Sequence, residues 1–228
     1  DCRFDSYRGH MELTTPIEQL RGIGPTYQKR LRKLGIKKIQ DLLFHFPHRY
    51  EDFSNIIPIA NAKTNENCCL QGKILEIKNS RTWKRKMFLT QAVVGDKTGA
   101  IKVVWFNQPY LTNILKPKDN ICLVGKAVFK KNGLYISNPV YEKLGHAMSS
   151  GTSHVQLTHT GRIVPIYPET ERLSSRWLRS VIRSLLAQFT NRVGEPLPEK
   201  IIREHQLLPR QKAIWQIHFP DSLALAKK

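Results

Sequence analysis

The sequence predicts an α+β protein in which a five-stranded antiparallel β-barrel is flanked by helical segments. Three observations on the 228 residues lead to this prediction. Apolar residues recur at helical spacing from Pro16 to about Phe46. From Cys68 to Leu144, short runs rich in β-branched and aromatic residues alternate with turn signals. Helical spacing then returns beyond residue 162.

Five segments follow from these changes of pattern. They are a tag remnant at 1–11 that contains Gly9-His10-Met11, an N-terminal helical segment at 12–60, the barrel at 61–144, a linker at 145–161, and a C-terminal helical segment at 162–228. The remnant lacks the apolar run of a signal peptide and is left out of the fold prediction. The linker is assigned from its small, polar residues and its lack of periodicity.

The N-terminal helical segment is predicted to contain a helix-hairpin-helix motif. The stretch L-R-G-I-G-P interrupts the apolar periodicity, and a basic helix follows it. Gly22 and Gly24 let backbone N–H groups approach a phosphate, and Lys29 and Arg30 lie just beyond them on the helix. The alternative is an αα-hairpin that only packs on the barrel and leaves its basic side chains in solvent.

The barrel is predicted from strands at 69–79, 86–95, 100–106, 120–130 and 133–141, with a short helix at 108–115. The connections GDKTG and KKNG have the residues that tight hairpins need. Five strands with a helix between the third and the fourth are typical of the oligonucleotide/oligosaccharide-binding fold (OB-fold). This fold commonly carries oligonucleotides on one face and on two of its loops.

The C-terminal segment begins as an extended stretch, R-I-V-P-I-Y-P, and continues as helices. The first helix is predicted at 174–190 from a single apolar stripe, with Ser174 or Ser175 as its cap. Shorter helices are predicted at 198–206, 209–216 and 220–226.

The charge of the chain indicates a polyanionic partner. Thirty-seven Lys and Arg residues against 18 Asp and Glu residues leave a formal net charge of +19. A field of this sign attracts polyanions, of which nucleic acid is the commonest. Residues 68–144 alone carry 14 basic and 4 acidic side chains. The barrel is therefore the expected binding module, although a ribosomal or a membrane-surface role would also suit the net charge.

Motifs for catalysis, nucleotide binding and metal binding are missing from the sequence. Gly125-Lys126 is followed by Ala127, which does not fit a phosphate-binding loop, and HExxH, GxSxG and paired nuclease carboxylates are absent. The four cysteines include no CxxC pair, and no apolar run reaches 18 residues. We therefore expect no enzymatic activity, no metal, no cofactor and no membrane span in this chain.

A basic loop is predicted between the first two strands, in the stretch N-S-R-T-W-K-R-K. Arg81, Lys84, Arg85 and Lys86 surround Trp83 there, and no apolar alternation accounts for the indole. Basic groups bind phosphates, and an aromatic face can stack on a base. In the alternative interpretation, Trp83 folds back on the barrel rim and the charged groups are simply solvated.

The third strand stops abruptly in V-V-W-F-N-Q-P-Y, and Phe106 and Tyr110 flank the stop. One interpretation is a hydrophobic staple: Asn107 caps the following helix, and Phe106 packs across the helix start on Leu111. In the other interpretation, both rings point outward to a flat partner. The pattern alone does not decide between them.

Several stretches, in order along the chain, resemble the N-terminal wedge region of the RecG family of bacterial ATP-dependent DNA translocases, which regress stalled replication forks. They are GIGPTYQKRLRKLGIKKIQDLLFHFPHRYED, GDKTGAIKVVWFNQPYL, ISNPVYEKL, GRIVPIYPETERLSSRWLRSVI and IHFPDSLALA. The resemblance runs from about residue 14 to the end of the chain. DLLFHFPHRYED followed by WFNQPY is its specific part.

The resemblance implies that the barrel is a wedge that recognises branched DNA, such as replication forks and Holliday junctions, and splits strands at the branch point. In the family, two aromatic residues cap the bases exposed there, and Phe106 and Tyr110 match them with the same spacing. The basic loop would hold backbone phosphates without reading sequence. Lys102, on the third strand, is assigned to the same backbone-contacting set.

The family also has a two-lobed motor with Walker motifs, and this chain ends about where that motor would begin, as a cut piece or a natural truncation. The resemblance therefore implies a monomer that binds branched and single-stranded DNA without the ATP and Mg²⁺ of the full-length family. It also implies a bacterial, cytoplasmic and nucleoid-associated location. The alternative function is a protein-interaction module that binds the tail of single-stranded DNA-binding protein. General binding of tRNA or single-stranded RNA is a third.

Overall fold

A computed structural model describes residues 11–82, 87–130, 133–144 and 157–226. Within these ranges the chain folds as two units. The helical unit comprises residues up to 51 together with those from 163 onwards, and the barrel unit comprises residues 52–162. The predicted tag remnant up to residue 10, and residues 145–156 of the predicted linker, lie outside the described ranges.

The chain is mainly helical towards both ends and β in the middle. In chain order the elements are α1 Pro25–Lys33, α2 Ile39–Leu43, β1 Arg49–Asp52, β2 Ile56–Ile57, β3 Asn67–Arg81, β4 Phe88–Gly95, β5 Ala100–Phe106, α3 Leu111–Ile114, β6 Asn120–Lys130, β7 Gly133–Lys143, β8 Ile163–Ile166, α4 Ser175–Phe189, α5 Glu199–Glu204, α6 Arg210–His218 and α7 Leu223–Ala226. No helix in the described ranges is both long enough and apolar enough to cross a membrane.

The barrel is a six-stranded sheet, in the order β2-β3-β4-β5-β7-β6, that closes through a further pairing of β3 with β6. The five strands predicted from the sequence are all present, and α3 lies between the third and the fourth of them. Strand β3 can close the ring because its first half pairs with β6 and its second half with β4. The predicted α+β class and OB-fold are confirmed.

The barrel is not purely antiparallel, and this part of the prediction is wrong. Strand β5 pairs in parallel with β7, with Lys102 opposite Tyr135, and the additional short strand β2 pairs in parallel with β3. The reason is one of parity. Strand directions can alternate all the way round a closed ring only when the number of strands is even. The ring of β3, β4, β5, β7 and β6 must therefore contain a parallel pair.

The two faces of β5 differ, and this difference positions the candidate site. Every second residue from Ile101 to Trp105 is buried in the barrel core. The indole Nε1 of Trp105 donates to the carbonyl of Pro139 at 2.9 Å, so even this polar atom is satisfied inside the barrel. Because side chains alternate along a strand, Lys102 and Phe106 lie on the outer face.

The helical unit is built around α4, and the apolar stripe predicted for this helix is observed. Leu178 on that stripe is fully buried in one core with Leu31 of α1 and Leu42 of α2. Ser174 caps α4, because its side-chain oxygen accepts from the backbone N–H of Trp177. Strands β1 and β8 form a separate two-stranded sheet. Residues from the two ends of the chain thus share one hydrophobic core.

Candidate nucleic-acid interface

Strand β5 ends at Phe106 because the next residue leaves the extended conformation. Asn107 has a positive φ of 56°, in the left-handed region that asparagine adopts more readily than most residues. Its backbone N–H still donates to the carbonyl of Phe88 at 2.8 Å, so the strand is held up to its last residue. The chain then turns through residues 108–110 into α3. We call residues 106–111 the corner.

The two aromatic side chains of the corner lie on the outside of the barrel. Phe106 is half-buried and lies opposite Leu89 of β4 on the outer face. Tyr110 is 51% exposed, and its Oη donates to Oε1 of Gln108 at 3.0 Å. Among the described residues, the cluster that forms the barrel core includes neither ring. Both rings therefore keep surface that a flat partner can contact.

The alternative interpretation, a hydrophobic staple between Phe106 and Leu111, is wrong. A staple requires Asn107 to cap the helix in an extended backbone conformation. Helix α3 begins instead at Leu111, directly after Tyr110, and is shorter than the predicted helix at 108–115. Leu111 is fully buried in the barrel core, whereas Phe106 lies on the outer face. The left-handed Asn107 and the turn that follows it delay the helix start.

A set of polar side chains lies beneath the corner. Oγ1 of Thr90, a fully buried residue of β4, lies 2.7 Å from Oδ1 of Asn79 and 2.8 Å from the carbonyl oxygen of Gln108. Nδ2 of Asn79 donates to the carbonyl of Pro109 at 2.9 Å and to Oγ1 of Thr112 at 3.0 Å. The sequence predictions missed these residues. The available signal was Thr90 itself, a polar residue at an inward position of a strand.

A third exposed ring, which the sequence predictions also missed, lies at the same end of the barrel. Phe88 at the start of β4 is 43% exposed and lies opposite Arg81, whose guanidinium carbon is 5.2 Å from the centre of the Phe88 ring. Because neighbouring residues of a strand point to opposite faces, Phe88 points away from the face that carries Leu89 and Phe106. This end of the barrel thus has an aromatic ring on each face.

Lys102 lies on the outer face of β5, four residues before Phe106, which corresponds to roughly 13 Å along a strand. It is exposed, and its neighbours across the sheet are Val93 of β4 and Tyr135 of β7. The ammonium of Lys130 lies 5.8 Å from the centre of the Tyr135 ring. The outer face therefore combines aromatic rings with positive charges along its length, and the assignment of Lys102 to the DNA backbone stays a prediction.

The predicted helix-hairpin-helix belongs to the helical unit. Gly22 has a positive φ of 84°, and Gly24 is the residue directly before α1. Lys29 is exposed, whereas Arg30 is half-buried and donates to the carbonyl of Arg172 at 3.0 Å. The glycine geometry and Lys29 thus suit a phosphate contact. The guanidinium of Arg30 is used within the unit.

The tip of the basic loop lies outside the described residues. Trp83, Lys84, Arg85 and Lys86 belong to it, and their assignment stays a prediction. The described residues on either side approach each other, because the backbone N–H of Thr82 donates to the carbonyl of Met87 at 2.9 Å.

The described part of the chain contains no group of three or more His, Cys, Asp or Glu side chains that could hold a metal ion. Cys68, Cys69 and Cys122 are free and buried. Burial raises the pKa of the Cys68 thiol, which keeps it protonated near neutral pH.

The family is decided by a comparison with models of known protein families. The model of the RecG wedge domain matches residues 16–189, a range that includes the whole barrel unit and the corner. The chain belongs to the RecG wedge domain family. The resemblance that the sequence motifs suggested is thereby confirmed.

Relatives of known name agree with the wedge family. The ATP-dependent DNA helicase RecG of Thermotoga maritima is 31% identical over 212 residues, which cover 93% of this chain and 26% of the relative. The protein of the same name from Synechocystis is 28% identical over 234 residues, which cover 96% of this chain and 28% of the relative. This chain therefore spans less than a third of the length of these curated relatives.

A solved structure of RecG bound to a three-way DNA junction has the same fold. It matches with a TM-score of 0.79 and 26% sequence identity, covering 99% of this chain and 30% of that chain. The match extends over both the helical unit and the barrel unit, beyond the range of the wedge model.

Proposed function

We propose that this chain is a structure-selective DNA-binding wedge, which recognises branched DNA such as replication forks and Holliday junctions and separates strands at the branch point. The observation that carries the proposal is the corner itself. Two aromatic side chains with accessible surface stand at a strand-to-helix transition of an OB-fold barrel in a RecG wedge domain. The relative solved with a three-way DNA junction supports the choice of branched DNA.

Phe106 and Tyr110 are the proposed stacking residues. Separating a base pair at a branch removes stacking from the bases on both strands, and a protein ring can return about 1–3 kcal/mol per base. We add Phe88 to the two rings of the corner, because it lies at the same end of the barrel on the opposite face from Phe106. Rings on both faces suit two strands that diverge to opposite sides of the barrel.

The basic side chains of the barrel are proposed to hold the DNA backbone. Arg81 at the end of β3 and Lys102 on the outer face of β5 lie along the faces that carry the rings. Contacts with phosphates orient a protein on DNA and carry no sequence information, which suits recognition of structure. Trp83 and its basic neighbours remain predicted members of this set, and Gly22, Gly24 and Lys29 form a separate, weaker candidate for a phosphate contact.

The activity of the longer relatives is assigned to this chain only in part. They are named ATP-dependent DNA helicases, and we propose that this chain supplies recognition of the branch, while ATP and Mg²⁺ serve the rest of the longer protein. The chain is then expected to act as a monomer in the bacterial cytoplasm, near the nucleoid, and to bind single strands as well as junctions.

Fluorescence anisotropy with labelled oligonucleotides tests the proposal. The chain is titrated against a fork, a three-way junction, a plain duplex and a single strand of matched length at several salt concentrations. We expect the fork and the junction to bind more tightly than the duplex, and affinity to fall steeply with salt because bound counterions are released.

Equal affinity for all four DNAs would contradict selectivity for branched structures. Binding to the acidic tail of single-stranded DNA-binding protein without any binding to DNA would instead favour a protein-interaction module.

A further inference from the structure

A buried hydroxyl group lies directly beneath the corner. Thr90 occupies an inward position of β4 and has no exposed surface. The next inward position along β4 is Ala92, in the apolar core. Oγ1 of Thr90 is within hydrogen-bonding distance of two acceptors, Oδ1 of Asn79 and the carbonyl oxygen of Gln108. Since a hydroxyl has one proton, this proton is shared between a side chain of β3 and the backbone of the corner.

Asn79 continues the connection from the other strand. Its two amide hydrogens point to the carbonyl oxygen of Pro109 and to Oγ1 of Thr112 on α3. Its remaining polar atom, Oδ1, accepts from Thr90. Every polar atom of the Asn79 side chain therefore has a partner, and two of its three hydrogen bonds lead to the corner or to the helix behind it.

These side chains hold a part of the backbone that lies outside the sheet ladder. The backbone N–H of Asn107 donates to the carbonyl of Phe88 on β4. In contrast, the next two carbonyls accept from side chains: that of Gln108 from Thr90, and that of Pro109 from Asn79. The position of the backbone between Phe106 and Tyr110 thus depends on two polar side chains of β3 and β4.

The connection reaches the ring of Tyr110 itself. Gln108 accepts from Thr90 through its backbone carbonyl and makes two further hydrogen bonds through its side chain. Oε1 accepts from the Tyr110 hydroxyl at 3.0 Å, and Nε2 donates to Oδ1 of Asn138 on β7 at 3.0 Å. A continuous path of hydrogen bonds therefore runs from the barrel interior through Gln108 to the exposed tyrosine.

We propose that Thr90 and Asn79 are positioning residues that set the geometry of Phe106 and Tyr110 for the DNA bases at a branch. This inference rests on the proposed function, because it assigns a role within the same site. Binding is tighter when a recognition surface is held in its bound arrangement beforehand, since less freedom is lost on association. Neither side chain has to touch DNA for this effect.

Two substitutions of Thr90 that each remove a single group distinguish a role of its hydroxyl in positioning the corner from a role in core packing alone. Thr90→Val keeps the size of the side chain and removes the hydroxyl, whereas Thr90→Ser keeps the hydroxyl and removes the methyl group. Asn79→Ala removes the hydrogen bonds from Asn79 to Pro109, Thr112 and Thr90, and it does so at an exposed position on β3. It therefore provides a second test should Thr90→Val fail to fold.

The experiment measures two quantities for the wild type and each variant. The first is the ratio of fork affinity to duplex affinity, from anisotropy. The second is the fluorescence of 2-aminopurine placed at the branch point of the fork, which reports stacking of that base. We expect Thr90→Val and Asn79→Ala to lower the affinity ratio by about five- to tenfold, as for the loss of one or two hydrogen bonds. In both variants, binding should no longer produce the change in 2-aminopurine fluorescence that stacking of this base causes in the wild type. Affinity for plain duplex should stay unchanged. Thr90→Ser should keep the wild-type affinity ratio and the wild-type fluorescence change.

The outcomes distinguish this inference from the proposed function. A wild type that prefers forks, together with a Thr90→Val variant that keeps the full ratio and the full signal, overturns the positioning role and leaves the proposed function intact. Equal losses in Thr90→Ser and Thr90→Val, or an equal loss of duplex binding, also overturn it, because the effect would then be one of packing. A wild type without fork preference overturns the proposed function, and the inference with it.

Discussion

The corner of the barrel and the hairpin before α1 both place an aromatic residue near a turn, yet the fold uses the two rings differently. At the corner, Tyr110 keeps half of its surface exposed, while polar side chains hold the backbone beneath it. At the hairpin, Tyr27 stacks on Trp177 with ring centres 4.5 Å apart, and the guanidinium of Arg30 lies 5.4 Å from the centre of the Tyr27 ring.

An exposed or half-buried ring is therefore a candidate for nucleic-acid contact only when the fold leaves its face unused. The ring of Tyr27 has a protein partner on one side and a cation nearby, so its contribution is to stability. The rings of the corner are supported from below, through the backbone and the Tyr110 hydroxyl, and keep accessible surface for another molecule.

The largest effect on DNA binding is expected at the corner. The double substitution Phe106→Ala/Tyr110→Ala should weaken fork binding by roughly 30-fold or more, because each ring contributes about 1–3 kcal/mol per stacked base. Binding to plain duplex and the melting temperature should change little. Anisotropy and thermal unfolding measure the two quantities.

Phe129→Ala is the matched control for the corner variant. Phe129 is 65% exposed and lies opposite Leu134, at the end of the barrel away from the corner. Its removal should leave fork binding unchanged. A comparable loss of fork affinity in Phe129→Ala, or a large drop in melting temperature for the corner variant, would remove the distinction between the two kinds of ring.

The largest effect on folding stability is expected from a fall in pH, and it is confined to the helical unit. His218 is fully buried, with Nδ1 2.8 Å from the Tyr167 hydroxyl and Nε2 2.9 Å from the carbonyl oxygen of Leu43. Burial lowers the pKa of His218 to about 4, from an ordinary value of 6.5. The unfolded chain therefore binds the proton more readily, and the folded state loses stability as the pH falls from about 6.5 towards 4.

We expect this single histidine to lower the free energy of unfolding by on the order of 3 kcal/mol over that pH range. Urea unfolding followed by tryptophan fluorescence, at pH 7 and at pH 4.5, measures the change. His218→Gln should unfold with a smaller pH dependence, since its side chain does not titrate. An identical pH dependence in both proteins would rule out this role. The hydrogen bonds beneath the corner should not change over this pH range, because none of the side chains of Thr90, Asn79 and Gln108 carries a titratable group.

The smallest effect is expected at the hairpin ring. Tyr27→Ala should lower the free energy of unfolding by about 1–2 kcal/mol, because it removes the stack on Trp177. Tyr27→Phe keeps the ring and serves as the control in the same urea titration. Unchanged stability in Tyr27→Ala, accompanied by weaker DNA binding, would mean that the hairpin ring acts as the corner rings are proposed to act.

The strands were predictable because their signals are local. Alternation of apolar and polar residues marks β4 and β5, and glycine and asparagine mark the hairpin between β6 and β7. Phe106 and Tyr110 were identified as candidates for the same reason, since they flank an abrupt stop. The sequence alone did not fix the backbone conformation of Asn107. The staple interpretation required an extended conformation, whereas the structure has a left-handed one.

What could not be predicted depends on residues that are distant in sequence. The parallel pairing of β5 with β7 follows from ring closure, which no single strand reveals. The hydrogen bonds from Asn79 and Thr90 to Gln108 and Pro109 join two strands and a turn. Phe88 resembles any inward residue of a strand until the barrel rim is known, because its exposure comes from its position beyond the rim.

The inward-turned carbonyls of the corner have a consequence for protein engineering. A synthetic peptide that copies VVWFNQPYL would carry both rings but neither Thr90 nor Asn79, so nothing would select its bent backbone over the many extended ones. A transplant of the corner into another OB-fold should therefore include β3 and β4 as well as β5 and α3. The smallest portable piece of this surface is a three-stranded segment with its helix, and a linear motif is too little.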